Sequence, residues 1–538
     1  MLSYAKGPDA PFLEKTIDQV VAETAARFPD REALVVRHQD VRLTWSELAA
    51  SVERVARGLA GLGLNSGDRI GLWATNCAEW PIVQLACARA QLVLVNINPA
   101  YRAHELRYVL TRGDLKALIL RDADDKASYR DILDEAAAGQ TTSLRSIVYL
   151  EHPSWDEMLA AGKDLPASTA DPNDVVNMQY TSGTTGNPKG VLLTHRNQVN
   201  NGRVIADGLQ ATEHDRLCIP VPMYHCFGSV IGTMAWIVSG CTLVIPAPRF
   251  DALKVLETIE TERCTAVYGV PAMFIAELEH PEFRRFDLRS LRSGMMAGAP
   301  CPIEVMKRVT TDMHCTGMTI GYGQTESTPI ITMSNADDAI DTRVSTVGCP
   351  RQNTEVKIVS MSTRETLPVG EQGELCARGY LIMKGYDQDP EATRRAIDEE
   401  GWLHTGDLAV MREDGYVKIT GRAKDVIIRG GENISPREVE EFLFTHPKIA
   451  EVQIVGVPDL KLGETLAAWI RLKSGADCTE DEVRSFCKDR IAHFKIPQYI
   501  RFVDQFPMTV SGKVQKYKIR ATEIEDRHLE KAAGIQTA

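Results

Sequence analysis

Tyr180-Thr-Ser-Gly-Thr-Thr-Gly-Asn-Pro-Lys-Gly190 is the stretch from which the rest of the chain can be read. Gly183, Gly186 and Gly190 let the backbone turn its N–H groups onto an anion. The hydroxyls of Thr181, Ser182, Thr184 and Thr185 add donors and Lys189 adds charge, which together make the composition of a phosphate-holding loop. A Walker A loop needs glycine directly before its lysine and Ser or Thr directly after it. Here Pro188 and Gly190 flank Lys189, so a P-loop NTPase is disfavoured. The segment Val175-Val-Asn-Met-Gln179 just upstream predicts a strand that feeds the loop.

Further along the chain in both directions, helix and strand signals alternate. Arg69-Ile-Gly-Leu-Trp73, Leu92-Val-Leu-Val-Asn96, Ala266-Val-Tyr268 and Met318-Thr-Ile320 read as buried strands, while Thr16-Ile-Asp-Gln19 and Thr44-Trp-Ser-Glu47 read as capping boxes opening helices. This order predicts layered α/β structure with parallel sheets. Gly61-Leu-Gly-Leu-Asn-Ser-Gly67 follows a helical segment and precedes a strand, the reverse of a Rossmann turn, and predicts a helix end. The span between Arg216 and Arg249 carries no formal charge and is longer than the ~20 residues of a membrane helix. Pro220, Pro222, Gly228, Gly232, Gly240, Pro246 and Pro248 break it, leaving a buried helix from Ser229 to Ser239 and a strand from Thr242 to Ile245. From about Gly373, short strands with glycine turns predict a small barrel or antiparallel subdomain. Gly421-Arg-Ala-Lys-Asp425 is the expected boundary, dividing the chain into domains 1–421 and 422–538.

Composition narrows the function. The chain has 538 residues, 44% hydrophobic and 25% charged, as in an ordinary globular protein. Its net charge of −12 provides no global positive field for nucleic acid. Residues 422–538 differ electrostatically, with 19 Lys and Arg against 18 Asp and Glu; a basic strip at Lys513, Lys516, Lys518 and Arg520 reads most simply as a solvated face. The 12 cysteines form no C-x-x-C pair, which argues for reduced thiols and against a zinc ribbon. The first residues show neither an apolar signal core nor an Arg-rich transit pattern, and the C-terminal Ile-Gln-Thr-Ala lacks a peroxisomal tripeptide, so a cytoplasmic location is expected.

The loop at 180–190 resembles the signature of the adenylate-forming, AMP-binding superfamily, and further motifs follow in that superfamily's order. They are Ala297-Gly-Ala-Pro300, Gly321-Tyr-Gly-Gln-Thr-Glu326, Gly373-Glu-Leu-Cys-Ala-Arg-Gly379, Trp402-Leu-His-Thr-Gly-Asp407, Gly421-Arg-Ala-Lys-Asp425 with Gly430-Gly-Glu-Asn-Ile434, and Ser511-Gly-Lys513. The resemblance implies a large N-terminal domain of two layered α/β subdomains plus a small β-barrel subdomain, and a smaller mobile α+β C-terminal domain.

The resemblance also implies roles. Thr181 to Lys189 would hold the β- and γ-phosphates of ATP, with Thr181 among the catalytic residues. Ala297, Gly298, Ala299, Pro300, Gly321, Tyr322, Gly323, Gln324 and Thr325 would surround the nucleotide, Tyr322 stacking on adenine. Asp407 and Arg422 would take the ribose, and Glu326 would ligate the Mg²⁺ that accompanies ATP. Lys513 would be the catalytic lysine bridging carboxylate and α-phosphate, since joining two anions requires their repulsion to be screened. Lys424 matches the hinge, and Gly430 and Gly431 the path of the CoA pantetheine, before a helix that Ser435-Pro-Arg-Glu438 would open as a capping box. The basic strip around Lys516 to Arg520 gains a second reading as phosphate surroundings.

His225, Cys226, Phe227, Val230 and Gly323 match the acyl pocket. No carboxylate lies in Pro222-Met-Tyr-His-Cys-Phe-Gly228, which disfavours an α-amino acid, and Gly323 replaces the tryptophan that closes acetate-sized pockets. The segment through Met234, with Arg429-Gly-Gly-Glu-Asn-Ile434 and His493-Phe-Lys-Ile-Pro497, is similar to the medium-chain branch called acyl-CoA synthetase family member 2. The resemblance therefore implies a two-step carboxylate:CoA ligase for a medium-chain fatty acid or a similarly sized acid, the alternatives being an aryl or other small-acid CoA ligase and, more remotely, a non-catalytic scaffold. Its partners would be the acid, ATP and CoA, with no transmembrane segment and with a homodimer left open.

Overall fold

The computed structural model describes residues 1–181, 188–299, 301–430, 432–488, 490–509 and 513–529. Its strands form four sheets among these residues. The first has seven strands. Ser146–Tyr149, Leu115–Leu120, Arg69–Trp73, Val93–Asn96 and Val175–Thr181 run parallel, and Lys189–Thr194 and Gly385–Tyr386 add antiparallel at the edge. The second has nine strands, with a parallel core of Glu32–Val36, Thr242–Ile245, Arg216–Cys218, Ala266–Gly269, Ser293–Ala297 and Gly317–Gly323. Both parallel cores read as continuous apolar runs because helices cover both of their faces.

The local signals are realised largely as the sequence implies. Thr16 and Thr44 head helices Ile17–Arg27 and Trp45–Gly61 through capping boxes with Gln19 and Glu47. The second of these helices ends at Gly61, and Gly63 and Gly67 adopt positive φ in the turn that follows. The uncharged span forms the strand Thr242–Ile245 and a buried helix in two parts, a π-helical turn Phe227–Gly232 leading into Thr233–Ser239. No described helix is long and apolar enough to cross a membrane.

The third sheet is antiparallel: Tyr4–Lys6, Thr354–Val359, Gln372–Gly379, Leu403–Met411 and Val417–Arg422. It begins earlier than the Gly373 texture implies, and it recruits the chain's first strand from more than 300 residues away. The fourth sheet contains Glu432–Ile434, Ile427–Arg429, Gly463–Leu472, Ile449–Asp459 and Tyr499–Phe502, packed on helices Pro436–Phe444 and Glu480–Cys487 around Ile454, Leu466 and Ile470. Ser435 departs from expectation. It occupies the N-cap of Pro436–Phe444 but forms no capping box: its hydroxyl is oriented to donate to the Thr420 carbonyl on the last strand of the third sheet, and among the described residues Oγ accepts from no helix N–H.

Candidate functional site

Parallel sheets present their ligand-binding crevice at the carboxyl ends of their strands. Thr181 ends one such strand, Ala297 another and Gly323 a third, and the segment after Arg216–Cys218 leads to His225. Residues far apart in the chain are thus delivered to one end of the two large sheets.

The loop is a β-hairpin connection. Thr181 pairs with Lys189 across the antiparallel ladder, and its Oγ1 donates to the Lys189 carbonyl at 3.4 Å. Ser182, Gly183, Thr184, Thr185 and Gly186 lie outside the described residues, as do Pro300, Gly431, Ser511 and Gly512. Gly298 turns at φ +83°, where a Cβ would stand 3.3 Å from Val270 Cγ1 and 3.9 Å from Phe227 Cδ1. The turn expected to meet adenine therefore borders the segment expected to meet the acyl group. Gly321 is buried in its strand, and Ala297 and Ala299 flank the turn.

Tyr322 and Asp407 are 85 positions apart and joined by a 2.8 Å hydrogen bond from the phenol to Oδ2. Arg422 Nε donates to the other carboxylate oxygen at 2.8 Å. Asp407 is 5% exposed, so it is fixed by two donors while each oxygen retains a lone pair for a ribose hydroxyl. Burial and the neighbouring carboxylate raise the Tyr322 phenol well above its ordinary range, so it stays a donor.

Glu326 lies in the turn Thr325–Ser327, which Gln324 opens by donating its backbone N–H to Ser327 Oγ. Tyr386 Oη donates to Glu326 Oε1 at 2.8 Å, and Lys189 Nζ lies 4.8 Å from the Tyr386 ring centroid. Oε2 of Glu326 accepts no hydrogen bond among the described residues, so the carboxylate suits a hard cation such as Mg²⁺. Tyr386 went unnoticed in the sequence. Its only signal is a tyrosine in a two-residue edge strand, Gly385–Tyr386, beside the loop's return strand.

Lys513 comes from the C-terminal region and lies within electrostatic range of Cys226, Arg422, Glu326 and Asp407. Lys513 is exposed to solvent along part of its side chain. Burial foremost, with Arg422 adding to it, holds its ammonium below the ordinary lysine range. Lys424 is exposed in the short turn Ala423–Asp425 between the third and fourth sheets. Gly430 is left-handed at φ +59° and donates its N–H to the Leu462 carbonyl. The basic strip is exposed at Lys513, Lys518 and Arg520, as a solvated face would be, but two of its members have partners: Lys516 Nζ pairs with buried Glu440 at 2.6 Å, and Arg520 donates to the Gly456 carbonyl and to Glu464. Those two side chains tie the last helix, Lys516–Asp526, to the fourth sheet and to the helix Pro436–Phe444 packed on it.

Cys226, Phe227 and Val230 are buried, and Phe227 stacks on Tyr268 with centroids 5.6 Å apart. Cys226 Sγ lies 3.7 Å from Thr325 Oγ1. Burial, with Lys513 adding to it, lowers His225 to about 3, so its imidazole is neutral; Nδ1 accepts from the Phe227 N–H at 3.2 Å, which leaves the proton on Nε2. A π-helical turn often marks a functional site, and this one is anchored by buried amides: Asn96 and Gln179 donate to Ser229 Oγ, and Gln84 to the Ser229 carbonyl. The sequence carries one trace of this network: Gln179 alternates with Asn177 in the strand Val175–Thr181, where Asn177 donates to Asn96 Oδ1 and accepts from Gln179 Nε2.

Gly323 has a structural role that the sequence does not disclose. A Cβ there would fall 1.6 Å from the Pro329 carbonyl oxygen, and the ladder shifts register between Tyr322 and Gly323.

Two large sheets with parallel cores, an antiparallel third sheet and a C-terminal fourth sheet are the architecture of the adenylate-forming CoA ligases among solved structures. A family profile described as AMP-binding enzyme matches residues 21–387, and one described as AMP-binding enzyme C-terminal domain matches residues 438–513. The chain is 48% identical to a putative acyl-CoA synthetase, YngI, of Bacillus subtilis (strain 168), covering 96% of this chain and 98% of that protein. It is 41% identical to the medium-chain acyl-CoA ligase ACSF2, mitochondrial, of Homo sapiens, covering 98% and 90%. Among solved structures it resembles the anthranilate CoA ligase AuaEII in complex with anthranoyl-AMP, with TM-score 0.87, 26% identity and 95% and 98% of the two chains covered. It also resembles a Mycobacterium tuberculosis fatty acyl CoA synthetase, with TM-score 0.74, 30% identity and 95% and 99% covered. The chain belongs to the AMP-binding enzyme family and is an AMP-forming acid–CoA ligase that uses ATP and CoA.

Proposed function

We propose that this ligase activates a medium-chain fatty acid or an acid of similar size, in two half-reactions served by different faces of the C-terminal domain. The observation that most supports the reading is that Lys513, from the C-terminal region, lies within electrostatic range of Glu326, Asp407 and Arg422, as a lysine that screens two approaching anions would. Lys513 neutralises the approach of carboxylate to α-phosphate, and the hairpin from Thr181 to Lys189 holds the outer phosphates. Glu326 holds Mg²⁺, which when bound screens the phosphate charge. Asp407 and Arg422 orient the ribose, with adenine between Tyr322 and the Ala297-Gly298-Ala299 turn. Rotation about Lys424, between domains 1–421 and 422–538, withdraws Lys513 and brings Gly430 and Gly431 to the thiol path.

The acid class is supported by an apolar pocket segment, Phe227 stacked on Tyr268 with Val230 and Cys226 buried beside it, and by the name of the human relative. The second reading is an aryl or other small-acid CoA ligase, supported by the aromatic pair and by the likeness to the anthranilate CoA ligase. The test is carboxylate-dependent AMP and acyl-CoA formation with Mg·ATP and CoA, over straight-chain acids from acetate to palmitate plus benzoate and cinnamate. An optimum among medium-chain acids is expected; an optimum at the aromatic acids overturns the fatty-acid assignment.

A further inference from the structure

In the third sheet, three side chains able to ligate a metal converge for a reason visible in the strand pairing. Glu374 and Cys376 are two residues apart on Gln372–Gly379, and Cys376 is the cross-strand partner of His404 on Leu403–Met411, where a register shift between Glu374 and Cys376 sets Glu374 opposite Leu408. Their ligand atoms lie within 4.8 Å of one another, and among the described residues no other such group of three is found. His404 Nδ1 is 3.0 Å from Glu374 Oε2 and 3.3 Å from Cys376 Sγ.

The surroundings are those of a ligand set. A metal-bound histidine usually gives its second ring N–H to a carboxylate, and His404 Nε2 faces Asp398 Oδ2 at 3.3 Å. Ligating carboxylates are themselves held by hydrogen bonds, and Glu374 Oε1 accepts the Gly406 N–H at 3.0 Å, leaving Oε2 turned to the cluster. A cation already stands there. The Arg364 guanidinium pairs with Glu374 Oε2 and lies 3.0 Å from His404 Nδ1 through the same nitrogen. With the His404 proton on Nε2, which faces Asp398, Nδ1 accepts from Arg364, and the guanidinium then bridges His404 and Glu374 as a metal ion would, without engaging the thiol. Arg364 is 56% exposed on a turn and can swing out, whereas Glu374 is 6% exposed.

We propose that Glu374, Cys376 and His404 form a binding site for a divalent cation of zinc type, with Arg364 as the resident competitor. Zn²⁺ takes one oxygen, one nitrogen and one sulfur at about 2.0–2.3 Å, leaving a fourth position for water. On binding, the Cys376 thiol releases its proton to solvent, the sulfur coordinates as thiolate, and Arg364 leaves for solvent. The site joins Gln372–Gly379 to Leu403–Met411 next to Gly406, whose N–H Glu374 accepts and which directly precedes Asp407, so occupancy stiffens the strand that carries the carboxylate Tyr322 and Arg422 hold.

The test uses the full chain freed of metal by chelation, with Zn²⁺ alone as probe in calorimetric titration and Co²⁺ as the spectroscopic probe. The expected result is one ion per chain, a thiolate-to-Co²⁺ charge-transfer band, weakening by about tenfold or more in Cys376→Ser and in His404→Asn, and severalfold tightening in Arg364→Ala. Arg364 lies on the surface, so that last variant reports even if the buried substitutions fail to fold. No stoichiometric binding, no thiolate band, or affinity unchanged in Arg364→Ala overturns the site.

Discussion

Tyr386 Oη and Glu326 Oε1 are 2.8 Å apart across 60 positions of sequence, and the same tyrosine ring lies under the ammonium of Lys189. One residue therefore ties the carboxylate proposed for Mg²⁺ to the lysine proposed for the outer phosphates. A hydrogen bond to a charged group contributes about 1.5–3 kcal/mol. Tyr386→Phe, which keeps the ring under Lys189, should raise the Mg²⁺ concentration needed for half-maximal adenylation by about tenfold while leaving the KM for the acid within about twofold. Magnesium titration of pyrophosphate release checks it; an unchanged titration removes the link.

Lys513→Ala removes a contact made in the transition state while the hairpin and ribose carboxylate remain. Adenylate formation should fall by about a hundredfold or more, ATP affinity should change little, and thioester formation from supplied acyl-adenylate should persist. Equal losses in both half-reactions would place Lys513 in binding rather than chemistry.

His195 is 2% exposed and accepts the Ile17 N–H through Nδ1, and burial lowers its pKa from 6.5 to about 4. The unfolded imidazole binds its proton first as pH falls. Stability contributed by the neutral ring is therefore present above pH 6.5 and declines toward pH 4, by up to about 1.4 kcal/mol per pH unit. His195→Asn retains an acceptor without the titration. Its unfolding temperature should depend less steeply on pH than the wild type between these limits; equal slopes would show that other groups govern acid sensitivity.

Gly323→Trp looks from the sequence like a way to shorten the pocket. With a Cβ driven onto the Pro329 carbonyl, it should instead shift the backbone, destabilising by more than the about 1–3 kcal/mol of ordinary overpacking and lowering activity for every acid. Phe227→Leu is the cleaner probe, opening space against Tyr268 and moving the optimum toward longer chains. Thermal unfolding and chain-length profiles of the two variants decide. A stable Gly323→Trp with a shortened optimum would return the pocket floor to Gly323.

Much of the architecture was legible because its signals are local. A Thr-x-x-Gln or Thr-x-x-Glu box saturates helix-end donors wherever it occurs, and the apolar runs at Arg69–Trp73 and Thr242–Ile245 formed strands as read. Ser435 had the same local signal and did not form the box; its hydroxyl is oriented to the Thr420 carbonyl of another sheet. The strand Tyr4–Lys6 was invisible for a related reason: three residues gain strand identity only from the partner Thr354–Val359.

The sequence alone determined the order of motifs around Tyr180 to Gly190, and with it the family and the chemistry of joining an acid to AMP and then CoA, because turn glycines, hydroxyls and charged residues at set spacings are one-dimensional facts. Only the tertiary structure decided that Tyr386 holds Glu326, that Gly323 yields to Pro329, that Lys516 serves Glu440, and that Glu374, Cys376 and His404 face one another. Such contacts depend on strand order and register, which are settled by how whole faces bury against each other and leave little trace in the spacing of any one segment.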